Sequence, residues 1–324
     1  MTTTRPCLSR LLTQLGAAAL LSFLGASAAQ AAHAQAAKPV GKTPMKRMAG
    51  AEVLKATTAE DWREPSIEHT LYMDTAAGRV IIELAPAFAP LHVQNILDLV
   101  EDGYFKSSAV LRVHENYVVQ WGAPEDEDAK QVKGLKKAKA EIADGELFIK
   151  PHAGTHITPL PDGDAFAPVA GMAGGFPAAA DPKVGQTWLT HCYSMVGIGR
   201  GEAANSGNGS SMYVVIGQAP RNLDRNVAVV GRVLQGMEWL TSLPRGTGDL
   251  GFYTDAKQQQ PIQIRRAIDV PEAERVALQV LRTERPAYLN WLQAKRFPAS
   301  SWYLQDPGRV ELCSALPPVR KKPT

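Results

Sequence analysis

The chain is 324 residues long, 45% hydrophobic and 21% charged, with 27 Gly and 23 Pro; this supplies apolar side chains for a sizeable core and excludes a disordered protein. Its 35 Lys and Arg stand against 32 Asp and Glu, and a net charge of +3 makes no electrostatic case for nucleic acid or an anionic lipid surface. Length alone points to one large domain with extensions, or to two smaller ones.

Residues 1–31 read as a secretory signal peptide: Arg5 and Arg10 precede an apolar run from Leu11 to Leu24, and small residues follow as Ala29-Gln30-Ala31. Thr13, Gln14, Gly16 and Ser22 interrupt the run, so a permanent span across about 30 Å of hydrocarbon is the poorer reading. Cleavage leaves a nearly neutral chain with no membrane span and two cysteines. In an oxidising compartment Cys192 and Cys313 are either one bridge, contributing about 3–5 kcal/mol, or two buried thiols.

Residues 32–68 form an Ala-, Lys- and Thr-rich extension with a short helix around Val53 and Leu54. From Thr70, Leu71 and Met73 alternate with polar neighbours, Ala77-Gly78 turns the chain, and Val80, Ile82 and Leu84 alternate again, which predicts a β-hairpin. Pro90 opens an amphipathic helix through Val93, Ile96, Leu97 and Val100, stopped at Gly103. Val110–Val113 and Tyr117–Trp121 then predict a strand pair.

Residues 123–190 lose this periodicity. An acidic run from Glu125 to Asp128 meets several lysines, and a Pro- and Gly-rich stretch follows, which predicts an insertion displayed on the surface. Strand patterns return at Met195–Ile198, Met212–Ile216, Val227–Val233 and Ile262–Ile268, with a short helix near Met237. Over 271–324, Val276, Val280 and Leu281, then Tyr288, Trp291 and Leu292, have helical spacing on either side of Pro286. They predict a helical C-terminal extension ending in a basic tail.

Covalent and metal chemistry leave no signature. The chain has no His-Glu-x-x-His pair, no Gly-x-Ser-x-Gly elbow and no phosphate loop. Gly197-Ile198-Gly199-Arg200-Gly201 places Glu202 where a dinucleotide fingerprint needs its last glycine. His152, His156 and His191-Cys192 lie too far apart to read as a metal site. The expectation is no metal and no cofactor.

The segment Val110-Leu111-Arg112-Val113-His114-Glu115-Asn116-Tyr117-Val118-Val119-Gln120-Trp121-Gly122 resembles the cyclophilin signature Phe-His-Arg-Val-x-x-x-Phe-x-x-Gln-Gly-Gly. Arg112, Val113 and Gln120 keep the spacing, and Tyr117 stands for the phenylalanine. The resemblance continues through Gly78-Arg79-Val80, Ala89-Pro90, Asn95, Val196–Arg200, Asn208–Tyr213, Leu223-Asp224 and Val230–Val233 with Gly236-Met237. It covers residues 69–270 apart from the insertion. The implied fold is mainly β: a closed eight-stranded antiparallel barrel with capping helices, carrying the helical C-terminal extension.

The implied activity is peptidyl-prolyl cis-trans isomerisation of proline-containing segments of exported proteins, in the periplasm or outside the cell. The resemblance makes Arg112 the donor to the twisted prolyl nitrogen and Gln120 its partner or the holder of the substrate carbonyl. It places Tyr117, Val118, Gly199, Arg200, Ser211, Tyr213, Asn222 and Leu223 around the substrate. Without it, Arg112 and Gln120 read as an outward strand salt bridge and a cross-strand hydrogen bond. Three positions depart from the family: Ser211 replaces a glutamine, Asn222 a tryptophan or histidine, and Val227 a histidine or tyrosine. They raise a rival expectation, a non-catalytic binder of proline peptides; the insertion and the C-terminal helices raise a second, a scaffold in which they do the binding and the barrel is only a platform.

Overall fold

The structure, a computed structural model, describes residues 47–124 and 134–323. The expected signal peptide, residues 1–31, lies outside them, as do residues 32–46 of the extension. Among the described residues no helix is long and apolar enough to cross a membrane.

The chain opens with α1 (Gly50–Lys55) and β1 (Trp62–Arg63). The predicted hairpin forms as β2 (Thr70–Asp74) and β3 (Arg79–Leu84), followed by α2 (Pro90–Glu101). Pro90 occupies the first turn of α2, where a missing N–H costs nothing. Beyond its end Gly103 takes φ 79°, the left-handed conformation that glycine adopts without strain. The second pair is β4 (Ala109–Val113) and β5 (Val118–Gly122). After the insertion come β10 (Met195–Ile198), β11 (Met212–Val215), β12 (Val229–Gln235) and α3 (Met237–Thr241), then β13 (Gln260–Pro261) and β14 (Gln263–Arg266). The insertion itself holds β6 (Thr158–Pro159), β7 (Val169–Ala173), β8 (Phe176–Asp181) and β9 (Gln186–Leu189).

One antiparallel sheet runs in the order β13-β4-β5-β11-β10-β12-β3-β2-β14. Its two ends belong to one stretch of chain: Gln260 and Pro261 pair with β4, and Gln263 to Arg266 pair with β2. Ile262, at the step between them, donates its N–H to the Ser108 carbonyl at 3.0 Å. Counted as one broken strand, this stretch closes an eight-stranded barrel; counted as two, it gives nine. Closure removes the unpaired edges that an open sheet would present. Inside, Leu71, Met73, Val80, Ile82, Val119, Trp121, Val196, Val214 and Val230 are buried, with Ile96 and Leu99 of α2 packed against them.

The insertion differs from the expectation of a surface display. β6 to β9 form an antiparallel sheet of four strands in sequence order, and Ala170, Met172, Ala178, Ala179 and Trp188 are buried. The C-terminal extension also departs from its helical expectation. Tyr288, Trp291 and Leu292 do lie on α4 (Pro286–Arg296), but β15 (Leu278–Leu281) is a strand between β1 and β16 (Val319–Lys321). A central strand buried throughout shows no alternation that distinguishes it from a buried helix.

The three additions share one core. Val53 and Trp62 from the N-terminal side, Met172 and Trp188 from the insertion, and Tyr288, Leu292 and Leu312 from the C-terminal side pack together with Ala85, Phe88, Met195 and Val229 of the barrel. Cys192 and Cys313 are bonded, 121 residues apart in sequence, which resolves the open alternative in favour of the bridge. Replacing Cys313 with Ala is expected to lower the unfolding free energy by about 2–5 kcal/mol, read as a reduced denaturant midpoint. An unchanged midpoint would mean that the bridge does not constrain the unfolded chain.

Candidate functional site

The β4–β5 pair places Arg112 opposite Gln120, after a register shift between Val110 and Arg112. The bulge re-aims the strand locally. Arg112 Nη1 donates to Gln120 Oε1 at 3.1 Å, Nη2 to His114 Nδ1 at 3.2 Å, and Nε to the Leu250 carbonyl at 2.6 Å. A guanidinium has five N–H donors; these contacts use three and leave one on each terminal nitrogen. The charge lies between two rings, 5.6 Å from the centroid of Tyr117 and 5.3 Å from that of Phe252. Partial burial moves the guanidinium pKa down from its ordinary value, but an arginine so high to begin with keeps its charge.

Gln120 is held from both ends: its Nε2 donates to Ser211 Oγ at 3.0 Å while its Oε1 receives Arg112. The short side chain at 211 therefore serves as an anchor for the amide. A Cβ on Gly199 would lie 2.8 Å from Ser211 Oγ and 3.2 Å from Gln120 Nε2, so the glycine leaves room for this contact. Arg200 is committed to backbone, with Nε on the Asn226 carbonyl and Nη1 on those of Gly201 and Glu202.

These residues border a cavity of about 570 Å³. Arg112, Tyr117, Val118, Gln120, Gly199, Arg200, Ser211, Tyr213 and Leu223 all line it, as does Val227. Asn222 does not: it is exposed, one residue before Leu223 in the short helix Arg221–Leu223. That corrects its place among the substrate-binding residues. At this turn the short polar side chain contributes no wall.

Phe252 lines the cavity and was not foreseen. It belongs to a segment that runs along β4: Gly246 donates to the Val113 carbonyl at 3.0 Å and Tyr253 to that of Leu111 at 2.9 Å. Leu250, 65% exposed, holds φ 55°, a left-handed conformation that a branched side chain takes only at a cost. The twist aims its carbonyl at Arg112. Only a glycine-rich stretch carrying Leu250 and Phe252 marks this segment in the sequence, and nothing there points to β4.

The floor is Tyr213. Its ring lies where a Cβ on Gly197 would approach within 2.4 Å of Cζ, so only glycine admits it. Its hydroxyl meets His191 Nε2 at 2.8 Å, and His191 Nδ1 meets Asp224 Oδ1 at 2.9 Å. Burial keeps the phenol well above its ordinary pKa. At Asp224 burial works upward, but hydrogen bonds from His191 and Arg221 and the Arg221 charge outweigh it and hold the carboxyl below its ordinary range. His152 is elsewhere, with Nε2 on the Ala87 carbonyl. Among the described residues no three His, Cys, Asp or Glu side chains group to hold a metal.

The family model for cyclophilin type peptidyl-prolyl cis-trans isomerases matches residues 70–268. A cyclophilin from Hirschia baltica shares the fold, at 23% identity and a TM-score of 0.61, over 77% of this chain and 92% of that one. A cyclophilin type peptidyl-prolyl cis-trans isomerase from Cryptosporidium parvum, crystallised in the presence of the dipeptide Ala-Pro, aligns at 16% identity over 60% of this chain and 96% of that one, with a TM-score of 0.37. No curated protein matches the sequence.

Two outcomes are expected. Leu250→Gly relieves the left-handed strain and raises stability by up to about 1 kcal/mol in denaturant unfolding; a loss would show that the exposed leucine packs. Because the Asp224 pKa is depressed in the folded chain, its stabilisation is present above the ordinary carboxylate range near pH 4 and is lost as pH falls through the folded value. Wild type should therefore lose more stability between pH 5 and acid than Asp224→Asn, as read in melts across that range.

Proposed function

The chain belongs to the cyclophilin-type peptidyl-prolyl cis-trans isomerase family, and we propose that it uses Arg112 to twist Xaa-Pro amides during the folding of exported proteins. Prolyl isomerisation makes and breaks no bond; it rotates an amide across a barrier of about 18–20 kcal/mol. As the C–N bond twists, conjugation is lost and the prolyl nitrogen regains a lone pair. A cationic donor that meets this lone pair binds the transition state more strongly than the planar ground state.

The observation that carries the reading is the state of Arg112. Gln120, His114 and the Leu250 carbonyl fix the plane of its guanidinium, and one N–H on each terminal nitrogen stays open beside a cavity of about 570 Å³. Lysine would offer a mobile point charge in place of this fork. Val118, Tyr213 and Leu223 supply an apolar bed for the proline ring. Gln120, tied to Ser211, orients Arg112.

Two features support export. The N-terminal sequence has the charged, apolar and small-residue order of a signal peptide, and the Cys192–Cys313 bond suits an oxidising compartment such as a periplasm. Uncatalysed isomerisation takes tens of seconds, slow enough to delay a newly exported chain.

NMR exchange measured on an Ala-Ala-Pro-Phe peptide tests the proposal. Wild type is expected to accelerate cis-to-trans exchange, and Arg112→Ala, still folded by circular dichroism, to lose about 10²-fold or more in kcat/KM, with Arg112→Lys recovering only a small part. Equal rates for wild type and Arg112→Ala would remove Arg112 from the mechanism. Peptide binding without acceleration by wild type would assign the chain to the non-catalytic binders, a reading favoured by the missing wall at Asn222.

A further inference from the structure

Behind the cavity, and outside the contacts of Arg112, five side chains form one continuous buried network. Tyr213 meets His191 Nε2 at 2.8 Å, and Asp224 Oδ1 accepts both the Nδ1 and the backbone N–H of His191 at 2.9 Å. Asp224 Oδ2 accepts Arg221 Nε at 2.6 Å. Arg221 then makes a two-pronged pair with Asp164, at 2.8 and 2.9 Å, and Asp164 lies in the insertion between β6 and β7. All five side chains are nearly inaccessible: 1% for His191, 6% for Asp224, 3% for Arg221 and 5% for Asp164, with Tyr213 at 7%.

The proton count gives the network a direction. Asp224, ionised against Arg221, accepts a hydrogen bond from Nδ1–H of His191, and in the neutral imidazole that tautomer leaves a lone pair on Nε2. The Tyr213 hydroxyl therefore donates into the imidazole. Its single proton is used behind the floor, and the ring presents carbon to the cavity. The two rings lie nearly parallel, 12° apart with centroids at 6.2 Å. A phenylalanine in this place would have no such tether.

The same network holds a second wall. Leu223, which lines the cavity, ends the short helix Arg221–Leu223 and directly precedes Asp224. Both ends of that turn are fixed by buried charge, Arg221 by Asp164 and Asp224 by His191. The floor and one side of the proline bed thus depend on a carboxylate supplied from the insertion.

We propose that His191, Asp224, Arg221 and Asp164 are positioning residues for the prolyl site, acting through Tyr213 and Leu223, and that the insertion is thereby part of the substrate-binding machinery. The proposal rests on the isomerase reading above. It explains the tyrosine at 213, the charged pair around Leu223 and the burial of an Asp–Arg pair whose desolvation a purely structural role would meet more cheaply with apolar side chains. Rigid walls count because only a site already shaped for the twisted amide turns binding into rate.

The test separates positioning from folding. Tyr213→Phe leaves the imidazole nitrogen unpaired, His191→Leu leaves the hydroxyl unpaired, and the double variant removes both, which restores stability where each single change costs it. Melting temperature and kcat and KM on the Ala-Ala-Pro-Phe peptide are measured for wild type, both single variants, the double variant and Asp164→Asn. The expected result is a double variant that recovers most of the melting temperature but keeps KM about fivefold or more above wild type, and an Asp164→Asn enzyme that also has raised KM. The Tyr213 hydroxyl proton is expected as a resolved NMR signal in wild type and as a broadened one in Asp164→Asn. Wild-type KM in the double variant and in Asp164→Asn would overturn the proposal and leave the network as scaffolding. A wild type that neither binds nor isomerises the peptide would overturn the isomerase reading and this proposal with it, an outcome visible before any variant is made.

Discussion

Everything near the cavity hangs on the closure of the barrel along Gln260–Arg266. This stretch pairs first with β4 and then with β2, and among the described residues it is the only outer partner that β4 has besides the short segment carrying Leu250 and Phe252. Without it β4 would be a sheet edge, and edge strands fray, slip and recruit foreign strands. A one-residue slip of β4 against β5 would turn Arg112 away from Gln120 and Val113 out of the core. Closure therefore sets the register, the register sets the Arg112–Gln120 contact, and that contact sets the direction in which the remaining guanidinium donors face.

The second layer works differently. The barrel is a self-contained closed sheet with its own interior, whereas the outer layer is assembled from three separated stretches and from the outer face of the barrel. Charges join the two. Arg63 pairs with Glu83 of β3 through both terminal guanidinium nitrogens and also donates to the Gly174 carbonyl. Arg232 of β12, buried, donates to the carbonyls of Gly175 and Pro317, and burial moves its pKa down to about 10. Ionic contacts of this kind fix which surface meets which more than they add net stability.

The sequence reveals these two layers unequally. Leu71 with Met73, and Val80 with Ile82 and Leu84, alternate because one side of each strand faces the barrel interior, and that period of two is visible residue by residue. The inserted strands carry Val169-Ala170-Gly171-Met172-Ala173 and Phe176-Pro177-Ala178-Ala179-Ala180, poor strand formers whose order comes from neighbours distant in sequence. Val276, Val280 and Leu281 mimic a helical face because β15 is covered on both sides. In the site, Arg112 and Gln120 lie eight residues apart on one hairpin and are legible as a pair. The Leu250 carbonyl, 138 residues from Arg112, and His191, 22 residues from Tyr213, are not, since no local pattern marks which loop returns to a strand. Asn222 shows the complementary limit: its neighbour Leu223 lines the cavity, but in a short helix with about three residues per turn adjacent side chains diverge by roughly a third of a circle.

The shared outer sheet, in which β1 from the start of the described chain lies against β15 and β15 against β16 near its end, bears on what counts as the smallest working unit. Trimming to the family-matched stretch would strip β15 and α4 from the barrel and bare Phe88, Met195 and Val229 to water, an apolar patch of the kind that drives proteins out of solution. The additions are thus built into the body of the protein: among the described residues the cover is stitched from stretches on both sides of the barrel sequence, and evolution or engineering could swap the barrel only together with that cover.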